Sequence, residues 1–160
     1  MTADANVIGV TGPRSLTPDH RAVIKTVMRP LMAESERLLV GDAWGVDALC
    51  ADLGRACYLS VIEYKVGQSG LSYSAPLAAH LQARSKNLVE GLAVMGGILH
   101  GWPNSYCPPG LTVSSWKGSG TWGTMRYAVA MGVPLVVHTE IMPGGFELPS
   151  WTNQEQLKLT

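Results

Sequence analysis

Short apolar runs alternate along the chain with longer stretches whose apolar residues recur every three to four positions. The runs are Val7-Ile8-Gly9-Val10, Leu38-Leu39-Val40, and residues 58–64, 97–102 and 134–138. Each reads as a strand buried on both faces. The longer stretches read as helices. Residues 22–32 form one, opened by Thr17-Pro18-Asp19, with Thr17 as N-cap and Pro18 at the first position. Residues 46–57 form a second, with Leu49, Leu53 and Cys57 four apart on one face. A third runs from 76 to about 94, carries Leu77, Leu81, Leu88 and Leu92, and breaks at Gly96-Gly97. A fourth, 121–131, stops at Gly132. Three segments fit neither period: a Gly/Ser-rich loop at 67–72, a Pro/Ser/Gly-rich insert at 104–117, and a tail from Thr139.

Strand and helix alternate throughout, and no repeat or second compositional regime appears. The pattern predicts one α/β domain over residues 1–160, with its core at about 6–138 and a C-terminal tail at 139–160. Its architecture is a Rossmann-like three-layer sandwich with a mainly parallel sheet and helices on both faces. Ligands of such sheets bind beyond the carboxyl ends of the strands. Candidate chemistry therefore belongs to the segments just after each run.

The first such segment is Gly9-Val10-Thr11-Gly12-Pro13-Arg14. Its glycines permit a tight turn and a close approach to a ligand, and Arg14 offers a planar fork for phosphate or carboxylate. It lacks the Gly-x-Gly-x-x-Gly spacing and the Walker lysine. The second is Gly41-Asp42-Ala43-Trp44-Gly45-Val46-Asp47, between a strand and a helix. An acid in a first turn complements the helix dipole. The alternative is that Asp42 or Asp47 faces ligand hydroxyls or a base edge. The third, Gly118-Ser119-Gly120-Thr121, precedes a helix. Free backbone amides, positive potential and two hydroxyls make it the best phosphate cradle in the chain. Arg84 and Asn87 share a helix face. Trp44, Trp102, Trp116 and Trp122 fall near predicted strand ends, where an indole stacks on a base or fills the core.

Composition removes several function classes. Twelve Lys+Arg balance twelve Asp+Glu, which argues against a nucleic-acid partner, since that would favour a basic excess. No apolar run reaches the roughly 18 residues of a membrane span, and the first residues lack a signal-peptide pattern. The chain reads as cytoplasmic with no membrane partner. Cys50, Cys57 and Cys107 form neither a disulfide framework nor a zinc motif. His20, His80, His100 and His138 are scattered, so no metal and no cofactor is expected. No Gly-x-Ser-x-Gly nucleophile elbow is present.

Taken together, these motifs resemble the SLOG superfamily, the Rossmann-like domains shared by DNA-processing protein A and the Lonely-Guy phosphoribohydrolases. The resemblance rests on the three segments above, on Arg84 with Asn87, and on Ala128 followed by Gly132-Val133-Pro134-Leu135. It implies a nucleotide or nucleotide-derived ligand held by Gly9, Thr11, Gly12, Arg14, Gly41, Asp42, Gly45, Asp47, Arg84, Asn87, Gly118, Ser119, Gly120 and Thr121. It also implies a homodimer or higher oligomer, for which apolar residues of the tail (Phe146, Leu148, Trp151) and insert (Tyr106, Leu111, Val113, Trp116) are candidate contacts. The Lonely-Guy glutamate is missing. The position three after Thr121 is Thr124, and the alternative register places Tyr127 there. Three readings follow. The first is a nucleotide-binding or sensor protein. The second is a phosphoribohydrolase-like enzyme that falls back on Asp42 or Asp47. The third is a single-stranded DNA-binding module, disfavoured by the neutral charge.

Overall fold

The computed structural model describes residues 6–145 and 147–153. Its five strands are β1 (Val7–Thr11), β2 (Arg37–Gly41), β3 (Ser60–Tyr64), β4 (Ile98–Gly101) and β5 (Leu135–Val137). They form one sheet in the order β3-β2-β1-β4-β5, with every pairing parallel. Four helices make the crossovers: α1 (Pro18–Ala33), α2 (Val46–Ala56), α3 (Leu77–Met95) and α4 (Gly120–Ala130). The chain thus winds outward from β1 to one edge, crosses back through α3, and continues through β4 to the other edge. The strand order reverses between β1 and β4, and in such sheets that switch point opens a crevice.

Alternating side chains feed two cores. Ile8, Val10, Leu38 and Val40 pack with Ile24, Met28 and Met32 of α1 and with Leu49, Cys50 and Leu53 of α2. Leu39, Leu99 and Leu135 face the other way, onto Leu88, Val89 and Leu92 of α3 and Met125 and Ala128 of α4. A sheet covered on both faces needs apolar residues at successive positions, which is why these strands read as unbroken runs.

The helix ends follow local chemistry. Thr17 caps α1 by accepting the His20 amide at 3.0 Å, with Pro18 in the first turn. Gly96, at φ +70°, ends α3. Residues 58 and 59, expected in the third strand, lie outside it. Tyr58 has φ +64° and is fully solvated, forming the turn that lets Leu59 re-enter the core.

The tail and insert pack against the domain itself. Trp151 meets Trp122 edge-to-face at 6.1 Å, and Arg126 lies 5.5 Å over its ring. Tyr106 donates to the Gly144 carbonyl, Leu111 joins the α3–α4 core, and Trp116 is buried. Of the side chains named above as oligomer contacts, Trp151, Tyr106, Leu111 and Trp116 have intramolecular partners, Leu148 is exposed, and Phe146 lies outside the described residues. Among the described residues, no helix is long and apolar enough to cross a membrane.

Candidate functional site

The loops at the carboxyl ends of β1, β2 and β4 line a cleft of about 720 Å³, a volume typical of small-molecule sites. The segment after β1 contributes Thr11, Gly12, Pro13 and Arg14. The start of α4 contributes Gly118, Ser119, Gly120, Thr121 and Trp122. The insert supplies Asn104 and Ser105 at one end and Ser114 through Lys117 at the other, so it walls the cleft. Ala78, Leu81 and Gln82 come from the first turns of α3, and Asp47 and Arg84 are its buried charged residues.

The α4 end is built to leave donors free. Ser119 is the N-cap, and its hydroxyl accepts the Trp122 amide at 3.2 Å while its carbonyl accepts the Gly123 amide at 2.9 Å. The amides of Gly120 and Thr121 have no hydrogen-bond partner among the described residues. They occupy the positive end of an eleven-residue helix, where an anion is stabilised. A Cβ built on Gly118 or Gly120 meets nothing within 4 Å, so neither glycine is required by protein packing. Gly118 sits at φ +77°, however, a backbone that favours glycine.

The second loop is tied to the first. Gly45 has φ +75°, and a Cβ there would overlap the carbonyl oxygens of Pro13 and Arg14. The Val46 amide donates to the Pro13 carbonyl at 3.2 Å, and Gly12 packs flush against the Val46 side chain. The loops after β1 and β2 are therefore braced against each other.

Arg84 reaches across the end of β2 from α3. Its Nη1 lies 2.9 Å from Asp42 Oδ1 and 3.6 Å from Asp47 Oδ2. Gly41 makes room for it, because a Cβ there would strike Nη1 and come within 2.6 Å of Asp47 Oδ2. Burial pushes the Asp47 carboxyl up to about 6, partly countered by the Arg84 charge and by the Ala43 amide, which donates to Oδ2 at 3.2 Å. Arg84 Nε is buried without a hydrogen-bond partner.

Of the residues predicted from the sequence, Thr11, Gly12, Arg14, Asp47, Arg84 and all four of the 118–121 loop line the cleft. Five do not. Gly9 lies in β1 against Leu92, while Gly41 and Gly45 serve the packing just described. Asp42 accepts the Val66 amide at 3.0 Å as well as Arg84. Asn87 donates to the Ser69 carbonyl at 3.4 Å, holding down the loop before α3. Thr124 and Tyr127, the two positions where the resemblance would have put a glutamate, also stay out of the cleft. Thr124 is buried and donates to the Gly120 carbonyl at 2.6 Å, and Tyr127 donates to Glu90 at 2.6 Å.

Lys117 was not predicted. It carries φ +53° and lines the cleft beside the glycine loop. A cation directly before a phosphate-type loop was the available signal. A second missed feature lies beside β4 and β5. His100 and His138 are buried with Nδ1 and Nε2 2.9 Å apart, and His138 stacks on Trp102 with ring centroids 4.3 Å apart. Burial pushes both imidazoles down to about 4. Among the described residues, no three His, Cys, Asp or Glu side chains converge on a metal site.

No protein-family profile matches the sequence, and no curated protein sequence matches it. Solved structures do. DNA processing protein A from Helicobacter pylori, described as having a unique single-stranded DNA-binding mode, superposes with a TM-score of 0.58 at 15% identity. The match covers 97% of this chain and 74% of that one. The chain shares the Rossmann-like fold of DNA processing protein A. The protein of that name from Streptococcus pneumoniae gives 0.48 at 14% identity, over 91% of this chain and 63% of the other. The Helicobacter pylori likeness corrects one expectation. Zero net charge was read as evidence against a nucleic-acid partner, yet a protein of this fold is described as binding single-stranded DNA. The physical reason is that a balanced total hides local distribution. The cleft is lined by Arg14, Arg84 and Lys117, against the single carboxylate of Asp47.

Proposed function

We propose that the chain binds a nucleotide or nucleotide-derived ligand in this cleft, with its phosphate on the 118–121 loop. The observation that carries the reading is the pair of unpartnered amides at Gly120 and Thr121, at a helix start that opens into a cleft bearing Arg14 and Lys117. Arg14 supplies a fork matched to phosphate oxygens. Arg84 is already engaged by two carboxylates and its Nε is sealed from the cleft, so it braces Asp42 and Asp47 rather than the ligand. Asp47 would repel phosphate and suits a sugar hydroxyl or an exocyclic amine.

A second reading, single-stranded DNA in the same cleft, is favoured by the description of the Helicobacter pylori neighbour. The wall formed by the insert favours one enclosed nucleotide unit over a long tracked strand. Calorimetric titration with nucleoside monophosphates, ribose 5-phosphate and a single-stranded oligonucleotide tests both. Saturable uptake of a mononucleotide, lost in Gly120→Ala, supports the first reading. Uptake of the oligonucleotide alone supports the second, and uptake of none rejects both.

A further inference from the structure

The four tryptophans that stood near strand ends in the sequence differ sharply in the fold. Trp102 and Trp122 are fully buried and Trp116 is 7% exposed, whereas Trp44 is 80% exposed. Trp102 stacks on His138, and the indole nitrogens of Trp116 and Trp122 donate to the carbonyls of Val113 and Ser105. Trp102 lies in the core, and Trp116 and Trp122 line the cleft but are almost wholly covered. Trp44 supports no packing of its own, and its ring is open to a ligand.

Its backbone is nonetheless held. Ala43, immediately before it, lines the cleft and donates its amide to Asp47. Gly45, immediately after it, is seated against the carbonyls of Pro13 and Arg14. The indole is thus mounted on a fixed turn at the edge of the cleft, one residue from its lining and joined to the loop that carries Arg14. The Trp44 turn follows β2, whereas the 118–121 loop is reached through the insert that follows β4. A cationic, amide-rich pocket beside a fixed exposed ring is the combination that proteins use for a sugar-phosphate with a stacked base.

We infer that Trp44 is a base-stacking platform, a subsite that takes the aromatic base of a nucleotide whose phosphate lies on the 118–121 loop. The inference rests on the proposed phosphate site and adds the base to it. Stacking reads the face common to all bases, so the subsite confers preference for a base-bearing ligand without selecting which base.

The test compares ribose 5-phosphate, AMP and a short oligothymidylate on the unmodified protein, Trp44→Ala and Trp44→Phe. Removing the ring should weaken AMP and the oligonucleotide by on the order of 10-fold and leave ribose 5-phosphate unchanged. Trp44→Phe should recover most of the loss. AMP should also quench the tryptophan emission of the unmodified protein more than that of Trp44→Phe, in which the remaining cleft indoles, Trp116 and Trp122, are almost wholly covered. The ratio of AMP to oligonucleotide affinity tells a free nucleotide from a strand. Equal loss of ribose 5-phosphate, or quenching of Trp44→Phe equal to that of the unmodified protein, overturns the stacking role and leaves the phosphate site intact. No binding of any probe to the unmodified protein removes both. A dimer that Trp44→Ala dissociates assigns the ring to a second copy of the chain and overturns the inference.

Discussion

Replacing Gly41 by alanine should damage the fold and the site together. The new Cβ would lie within 2.6 Å of Asp47 Oδ2 and closer still to Arg84 Nη1, well inside ordinary van der Waals contact. The guanidinium has little freedom to yield. The Arg84 side chain is 10% exposed and Asp47 8%. Moving it breaks the 2.9 Å contact with Asp42 and widens the 3.6 Å contact with Asp47. Breaking a fully buried pair costs about 3–5 kcal/mol, but Asp42 is partly solvated, so its share is smaller. Overpacking adds about 1–3 kcal/mol, while the stiffer unfolded chain returns about 0.4–1 kcal/mol. The net loss should be about 2–4 kcal/mol, or on the order of 5–15 °C in Tm for a chain this long. Urea unfolding with coincident fluorescence and circular dichroism measures it. With Arg84 displaced, Asp47 should also titrate higher than about 6, because the charge that lowers it has moved away. A Gly41→Ala protein within 0.5 kcal/mol of the parent would refute the argument that this glycine exists to admit Arg84.

Gly120→Ala is the converse case: a Cβ there meets nothing, so stability should hold or rise by up to about 1 kcal/mol, while nucleotide affinity measured by calorimetry should fall at least about 10-fold by the loss of close approach. Stability should decline on acidification through the His100–His138 pair. Both imidazoles are held near 4 against an ordinary 6.5, so the unfolded chain takes up protons first. Their contribution is complete above pH 6.5 and is lost as pH falls toward 4, at up to about 3 kcal/mol per ring. Asp47, raised to about 6, works in the opposite sense between pH 6 and 4. Comparing denaturant midpoints of the parent and a His100→Asn/His138→Asn variant isolates the pair, and identical slopes would disprove it. No free base should be released from AMP in a chromatographic assay, because α4 presents no carboxylate to the cleft; release abolished by Asp47→Asn would instead make Asp47 the catalytic acid.

The order of strands and helices was legible because a doubly covered parallel sheet writes itself as short apolar runs. The cradle at 118–121 was legible because glycine and hydroxyl residues before a helix have a local physical meaning. What escaped is non-local. Arg84 meets Asp42 across 42 residues, and His100 meets His138 across 38. Only the sheet order brings either pair together. Polar side chains near strand ends carry the same signature whether they face a ligand or a backbone group, so the contacts of Asp42 with Val66 and of Asn87 with Ser69 could not be read from residue type. The strand start at Tyr58 was misplaced because an aromatic in a tight left-handed turn is indistinguishable by type from one in a strand. The role of the insert in walling the cleft had no periodic signal at all.

The central claim concerns two backbone amides, and they can be observed directly. In a ¹⁵N-labelled sample titrated with AMP, the Gly120 and Thr121 amide protons should move downfield with saturable dependence on ligand, as they acquire a phosphate acceptor, and Arg14 should respond with them. Shifts confined to other parts of the molecule, with Gly120 and Thr121 unmoved at saturation, would contradict the account.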